Sequence, residues 1–330
     1  MLEPMTNRDA IPRYWNYLGD GNLKIRGSFL GYVGRNAKYK WQSLQNKKTE
    51  ALCLTNVFFF IPYFCPMKTF GWLSSSALAL IFIGCNNSED GGTDAPVRTT
   101  PVLSYSVLSV HPHDTSYFTE GLEFYNGYLL ESTGNYGPSK LVKMDLATGK
   151  VVQEVAIGEK YFGEGITVLN DTVYQLTWKE RVVNVYSAKD FKKIKELRLN
   201  PEGWGLTNDG KNLIASDGSN NLYFYEPQTF RLLRVQAVTE NEAPAVNINE
   251  LEYINGFVYA NQWLYNYILK IDPSNGQVVA KMDLTELVNK VKAKDPHAAE
   301  LNGIAYNPAT KKVYVTGKYW PELYEIQFDF

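Results

Sequence analysis

From Val102 onward the chain is a succession of short apolar stretches, many alternating apolar and polar positions, punctuated by Gly, Asn and Asp turns. A period of two in Val, Ile, Leu and Tyr predicts β-strands rather than helices. The strands recur in groups. Five related openings stand out: Glu120-Gly121-Leu122, Glu164-Gly165-Ile166, Trp204-Gly205-Leu206, Glu250-Leu251-Glu252 and Asn302-Gly303-Ile304. Counted from Gly121 to Gly165, Gly205, Leu251 and Gly303, the steps are 44, 40, 46 and 52 residues. These bracket the ~40–50-residue period of four-stranded propeller blades.

Each opening is followed by a second strand (Tyr128 to Ser132, Val173 to Trp178, Leu213 to Ser216, Val258 to Trp263, Val313 to Lys318) and by a third. Fourth strands follow in four of the groups, but the last group runs out of chain at Phe330. Val102 to Val110 is a strand with no group of its own, so it is expected to complete the C-terminal blade and seal the ring, because closure removes exposed sheet edges. The expected fold is all-β, a five-bladed β-propeller over residues 102–330. Its rival is a β-sandwich with strands at similar spacing. Asp283 to Glu300 has Leu and Val at helical spacing and predicts a short helix on a loop.

In a propeller the first strand of each blade lines the axis. The openings therefore point Glu120, Glu164, Trp204, Glu250 and Asn302 at one mouth, with Trp178, Trp263 and Lys318 at the ends of second strands around it. Glu164, flanked by two Gly on an inner strand, is the leading candidate for chemistry. A pocket with one buried carboxylate, several Trp and one Lys is an unusual choice for merely filling a core.

An ordered set of segments then becomes informative. Phe118-Thr119-Glu120-Gly121-Leu122, Phe162-Gly163-Glu164-Gly165-Ile166-Thr167, Gln175-Leu176-Thr177-Trp178 and Glu202-Gly203-Trp204-Gly205 are followed by Asn249-Glu250-Leu251-Glu252-Tyr253, Asn261-Gln262-Trp263, Leu301-Asn302-Gly303 and Thr316-Gly317-Lys318-Tyr319-Trp320-Pro321. In this order they resemble the plant and bacterial glutaminyl-peptide cyclotransferases (glutaminyl cyclases), across essentially all of residues 102–330. The resemblance implies a five-bladed propeller that converts an N-terminal glutamine of peptides or proteins to pyroglutamate and releases ammonia, without a cofactor. It implies Glu164 as the acid/base residue. Phe118, Phe162, Trp178 and Trp263 would wall the pocket. Asn249, Lys318 and the indole N–H of Trp204 or Trp263 would donate to the amide oxygen. The family pattern carries Gln, presented as a substrate contact, where this chain has Glu120. A carboxylate there would either grip the substrate ammonium or raise the pKa of Glu164 by like-charge coupling.

Composition narrows the class. The net charge of -2 and the absence of a Lys/Arg block argue against a nucleic-acid binder. Three scattered His (His111, His113, His297) argue against a multi-histidine metal centre, and no metal is expected. The alternatives are a non-catalytic surface propeller that binds peptides or glycans, and a metal-dependent propeller hydrolase. A monomer is expected.

Cys53, Cys65 and Cys85 all precede the propeller, which excludes a disulfide framework within it. Met67-Lys68-Thr69 followed by an apolar run from Phe70 to Gly84 predicts a signal peptide over 67–85, too short for a comfortable membrane span. Phe82-Ile83-Gly84-Cys85 resembles a bacterial lipobox in which Cys85 is lipidated. The expected product is exported and lipid-anchored to a bacterial membrane, on its periplasmic or cell-surface side. Residues 1–66 then read as a mis-assigned N-terminal extension, and 86–101 as a polar, Gly-rich tether.

Overall fold

A computed structural model describes residues 99–330. The expected signal peptide, the lipidation site Cys85, the upstream residues 1–66 and nearly all of the tether lie outside the described residues.

Five four-stranded antiparallel sheets surround an axis, four of them running from innermost to outermost strand in chain order. Blade 1 comprises Thr119–Tyr125, Tyr128–Thr133, Lys140–Asp145 and Lys150–Ala156; blade 2 comprises Gly163–Leu169, Thr172–Thr177, Val182–Ser187 and Lys193–Arg198. Blade 3 is built from Leu206–Asn208, Leu213–Ala215, Asn221–Tyr225 and Leu232–Ala237, and blade 4 from Ile248–Ile254, Phe257–Gln262, Tyr267–Ile271 and Val278–Asp283. Blade 5 has Leu301–Asn307, Lys312–Gly317 and Glu322–Phe328, with Tyr105–Pro112 paired antiparallel outside them, Tyr105 opposite Phe328 and Pro112 opposite Glu322. The two ends of the described chain thus share one sheet. This strand starts later than expected: Pro101–Leu103 instead run beside Lys281, on the outer strand of blade 4. The repeated sheet order excludes the sandwich.

The burial gradient explains the strand pattern. Gly163–Leu169 is almost wholly buried, whereas Lys193–Arg198 in the same blade is almost wholly exposed. Inner strands of neighbouring blades approach one another closely at their entries, and small residues permit it. A Cβ on Gly121 would sit 2.6 Å from the backbone N of Ile166, and one on Gly165 would sit 2.6 Å from the Trp204 carbonyl oxygen. Two residues beyond that position, side chains lace several inner strands to the next. Glu123 accepts Val168 N–H (3.2 Å), Thr207 accepts Tyr253 N–H (3.0 Å) and Glu252 accepts Tyr306 N–H (2.6 Å).

The helix is Thr285–Lys294, as the spacing predicts, and it buries Leu287, Val288 and Val291 against Trp320, Tyr324 and Ile326. It covers the seam between blades 4 and 5 on its apolar side. A small hairpin, Thr239–Glu240 with Ala243–Pro244, was not legible in the sequence. Its turn residues Asn241 and Glu242 both have positive φ (49° and 71°), a primed turn made without the Asn-Gly signature that normally announces one.

The strand register corrects one alignment. Four inner strands carry a bulge at their entry, between Thr119 and Gly121, Gly163 and Ile166, Ile248 and Leu251, and Leu301 and Ile304. Ile248, like Gly163 and Leu301, is the last paired residue before its bulge, so the residue equivalent to Glu164 in blade 4 is Asn249. Glu250 occupies the glycine position instead. Its carboxylate turns into the axis, where it accepts the backbone N–H of Leu122 (3.2 Å) and of Ile304 (2.8 Å). A side chain expected at the mouth is therefore a structural tie across the ring.

Candidate active site

The bulges build the mouth. An extra residue in one strand bends it and re-aims the local side chains, and Glu120, Glu164, Asn249 and Asn302 all lie in bulges. Trp204 takes the equivalent place in blade 3, where the inner strand starts only at Leu206. Trp178, Trp263 and Lys318 each follow directly on a second strand. Backbone ties hold the blades in step here: Gly165 N–H donates to the Trp204 carbonyl (2.7 Å), and the Ser216 hydroxyl takes Gly205 N–H while donating to the Asn249 carbonyl (both 2.7 Å).

Two aromatic walls result. Blades 5, 1 and 2 contribute Tyr319, Phe118, Phe162 and Trp178, with successive ring centroids 5.2, 5.9 and 5.5 Å apart in edge-to-face contacts. Blades 3 and 4 contribute Trp204 and Trp263, whose rings meet at 5.6 Å and 83°. Phe118, Phe162 and all three Trp are half-buried, leaving ring surface for a ligand. Edge-to-face packing, the edge of one ring against the face of the next, fixes their orientation.

Glu164 is 5% exposed, and its carboxylate makes no hydrogen bond among the described residues. Its pKa is held well above the ordinary carboxylate value, first by burial and then by the charge of Glu120, with Lys318 pulling the other way. Glu120 is buried too, and its partners are explicit. Lys318 Nζ donates to Oε1 at 2.8 Å, and Asn302 Nδ2 donates to Oε2 at 3.0 Å. Burial alone would lower the Lys318 pKa, but Glu120 and then Glu164 raise it, so the lysine is a stable cation. It also lies 4.2 Å from the centre of the Phe118 ring. Of the eight buried side-chain polar atoms that make no hydrogen bond among the described residues, three belong to the mouth residues named above: Trp204 Nε1, Asn249 Oδ1 and Asn302 Oδ1. Buried polar groups are normally satisfied, so unmet ones at a mouth are places for a ligand's own polar groups.

All the sequence-selected mouth residues except Glu250 sit on the loops and bulges of this one mouth. Sequence reasoning missed Tyr136, whose ring lies 5.5 Å from Phe162 and whose hydroxyl donates to Glu180 (2.9 Å), and it missed Tyr319 as a wall residue. The Gly134-Asn135-Tyr136 loop carried a signal, since Asn135 has φ 79° in a turn after a second strand. Among the described residues no group of three or more His, Cys, Asp or Glu could hold a metal ion.

Fold and mouth together define a five-bladed propeller whose mouth carries two buried carboxylates, one ion-paired and one without a hydrogen-bond partner among the described residues, beside two aromatic walls. The chain belongs to the glutamine cyclotransferase family, whose sequence profile matches residues 77–328. It is 35% identical over 258 residues to a glutaminyl-peptide cyclotransferase of Arabidopsis thaliana, covering 77% of this chain and 81% of that one. It is also similar to the crystal structure of Myxococcus xanthus glutaminyl cyclase, with a TM-score of 0.65 and 36% identity over 69% of this chain and 98% of that one.

Proposed function

We propose that the protein is a glutaminyl-peptide cyclotransferase, which closes N-terminal glutamine of peptides or proteins to pyroglutamate with Glu164 as the proton shuttle. The observation that carries this reading is Glu164 itself, buried without a hydrogen-bond partner among the described residues at the mouth that also carries the two aromatic walls.

The reaction joins the α-amine nitrogen to the γ-amide carbon of the same residue and breaks the bond from that carbon to the amide nitrogen. Nucleophile and electrophile are already tethered, so the pocket's main task is to hold the folded-back conformer. The glutamine methylenes would lie between the Phe118–Phe162–Trp178 wall and the Trp204–Trp263 wall. Glu164 accepts the proton that the amine nitrogen loses and delivers it to the departing nitrogen, so ammonia leaves rather than an amide anion. Negative charge collects on the amide oxygen in between, and the unpartnered Trp204 Nε1–H is a ready donor. Lys318 spends one of its three N–H groups on Glu120 and keeps two. Because Glu120 is already ion-paired, its role is to hold Lys318 and to raise Glu164, not to grip the substrate ammonium.

Incubation with a Gln-Xaa dipeptide tests the reading. The expected result is loss of the mass of one ammonia, and a Glu164→Gln variant that folds normally retains less than about a hundredth of the rate. A non-catalytic peptide or glycan binder would release no ammonia and would be indifferent to Glu164→Gln. The lipid anchor belongs to the same proposal: labelling by a fatty-acid precursor should be lost in Cys85→Ser.

A further inference from the structure

The seam between blades 5 and 1 contains a buried ion pair that the proposed chemistry does not use. His113 follows the Tyr105–Pro112 strand, Glu131 lies in the second strand of blade 1, and neither side chain has exposed surface. Nδ1 of His113 is 2.7 Å from the Trp320 carbonyl oxygen, and Nε2 is 3.1 and 3.3 Å from the two carboxylate oxygens of Glu131. A carbonyl only accepts, so Nδ1 carries a proton, and the carboxylate calls for a second on Nε2. Other charges nearby are Asp114, on the same loop as His113, and Lys140, next to Asp114.

Two short chains run from this pair to the Lys318–Glu120 contact. On one side the Trp320 carbonyl, together with the Pro321 carbonyl that accepts His113 N–H at 3.1 Å, pins the turn containing Lys318. On the other side Glu131 Oε1 takes the hydroxyl of Thr119 at 2.7 Å. Thr119 immediately precedes Glu120, and its carbonyl accepts Asn302 Nδ2 at 2.9 Å, the group that also donates to Glu120. Glu120 and Lys318 are 198 residues apart in the chain and belong to different blades. Nothing local keeps them in register.

We propose that His113 and Glu131 are positioning residues for the site: they clamp blade 5 to blade 1 so that Lys318 and Glu120 keep the contact that sets the charge beside Glu164. The inference rests on the function proposed above. Displacements of the order of an ångström at a catalytic group can cost about a hundredfold in rate, and a buried ion pair is a rigid way to prevent one.

A double-mutant cycle separates this role from simple stabilisation. His113→Gln is expected to lower kcat roughly tenfold or more with little change in KM, measured per folded molecule and below the melting transition. In a Glu120→Gln background the same change should cost much less, because the contact it protects is already gone. Multiplying factors, or an unchanged kcat, would overturn the proposal. Should His113→Gln fail to fold, Glu131→Gln carries the same cycle, since it keeps an acceptor oxygen for Thr119. A readout independent of turnover is the Lys318 Nζ resonance in protein with 15N-labelled lysine, assigned by its loss in Lys318→Met. It should shift or broaden in His113→Gln, and an unchanged signal would overturn the clamp. If the unaltered protein does not cyclise glutamine at all, the functional reading falls and this resonance still decides the clamp.

Discussion

Glu120 and Glu164 occupy the same bulge position in neighbouring blades, yet only Glu120 has a cation at hydrogen-bonding distance, Lys318 at 2.8 Å. Two buried carboxylates near one lysine cannot both ionise cheaply: burial pushes Glu120 up to about 7 even against Lys318, and burial and then the charge of Glu120 hold Glu164 well above the usual carboxylate range. Glu120→Gln removes the like charge and leaves Lys318 unpaired, and both changes lower the Glu164 pKa. The acidic limb of the kcat profile should move to lower pH. Lys318→Met removes the cation and should move the same limb to higher pH. Profiles of the two variants against the parent check both signs, and shifts in one direction for both would refute the assignment.

The two walls have different duties. Trp204 Nε1 is unpartnered, whereas Trp178 offers only its ring to the Phe162 wall and to Lys179. Trp204→Phe keeps an aromatic ring but removes the donor, and kcat should fall by about two orders of magnitude with KM little altered. Trp178→Ala should instead raise KM more than it lowers kcat. Steady-state kinetics on one Gln dipeptide compare the two.

The axis predicts an unusual dependence of stability on pH. Burial holds Glu250 and Glu252 well above the ordinary carboxylate value and Glu123 at about 7. His113 is raised as well: burial pulls it down, but Glu131 more than compensates. A group raised in the fold keeps a proton that the unfolded chain has released, so stability is full below the unfolded pKa and is lost as pH rises through the folded one. For the carboxylates that loss begins near pH ~4.3, and for His113 near ~6.5. All four have the same sign. Thermal melts should therefore show the highest Tm at mildly acidic pH and a decline towards pH ~8, and Glu250→Gln, which keeps one acceptor oxygen, should flatten the decline.

Close approach at the blade seams is equally testable. A Cβ on Gly205 would overlap the Asn249 carbonyl oxygen and come within 2.8 Å of the Glu250 Cα. Backbone cannot step aside as a flexible side chain can. Gly205→Ala should cost about 3 kcal/mol or more in chemical denaturation, and the folded fraction should lose activity because Asn249 and Trp204 share that seam.

Much of the ring was legible because each blade repeats one local pattern: an inner strand opening on a small residue, a turn, and an outer strand with polar positions facing water. Glycine at 121, 165, 205 and 303 marked four of the five seams. The fifth has no glycine, so the sequence pattern aligns Glu250 with Glu164 and Leu251 with the glycines, one residue out: Glu250 takes the glycine position and Leu251 is the apolar follower. A single-residue slip in a strand reverses the side-chain directions. Only pairing with Phe257–Gln262 reveals that Asn249 faces the mouth and Glu250 the axis.

The amino-acid order alone carried the strand pattern, the five-fold repeat, the choice of Glu164 and the aromatic composition of the mouth, because these depend on local periodicity and on residue type. It left open two roles for Glu120. What bears on that choice, the Lys318 ion pair, joins residues from the two ends of the domain and exists only once the ring is closed. The Phe118–Phe162–Trp178 wall, the His113–Glu131 clamp and the turn of Glu250 into the axis are decided in the same way. Each depends on which strand edges meet, and a chain reads its neighbours in sequence long before it can read them in space.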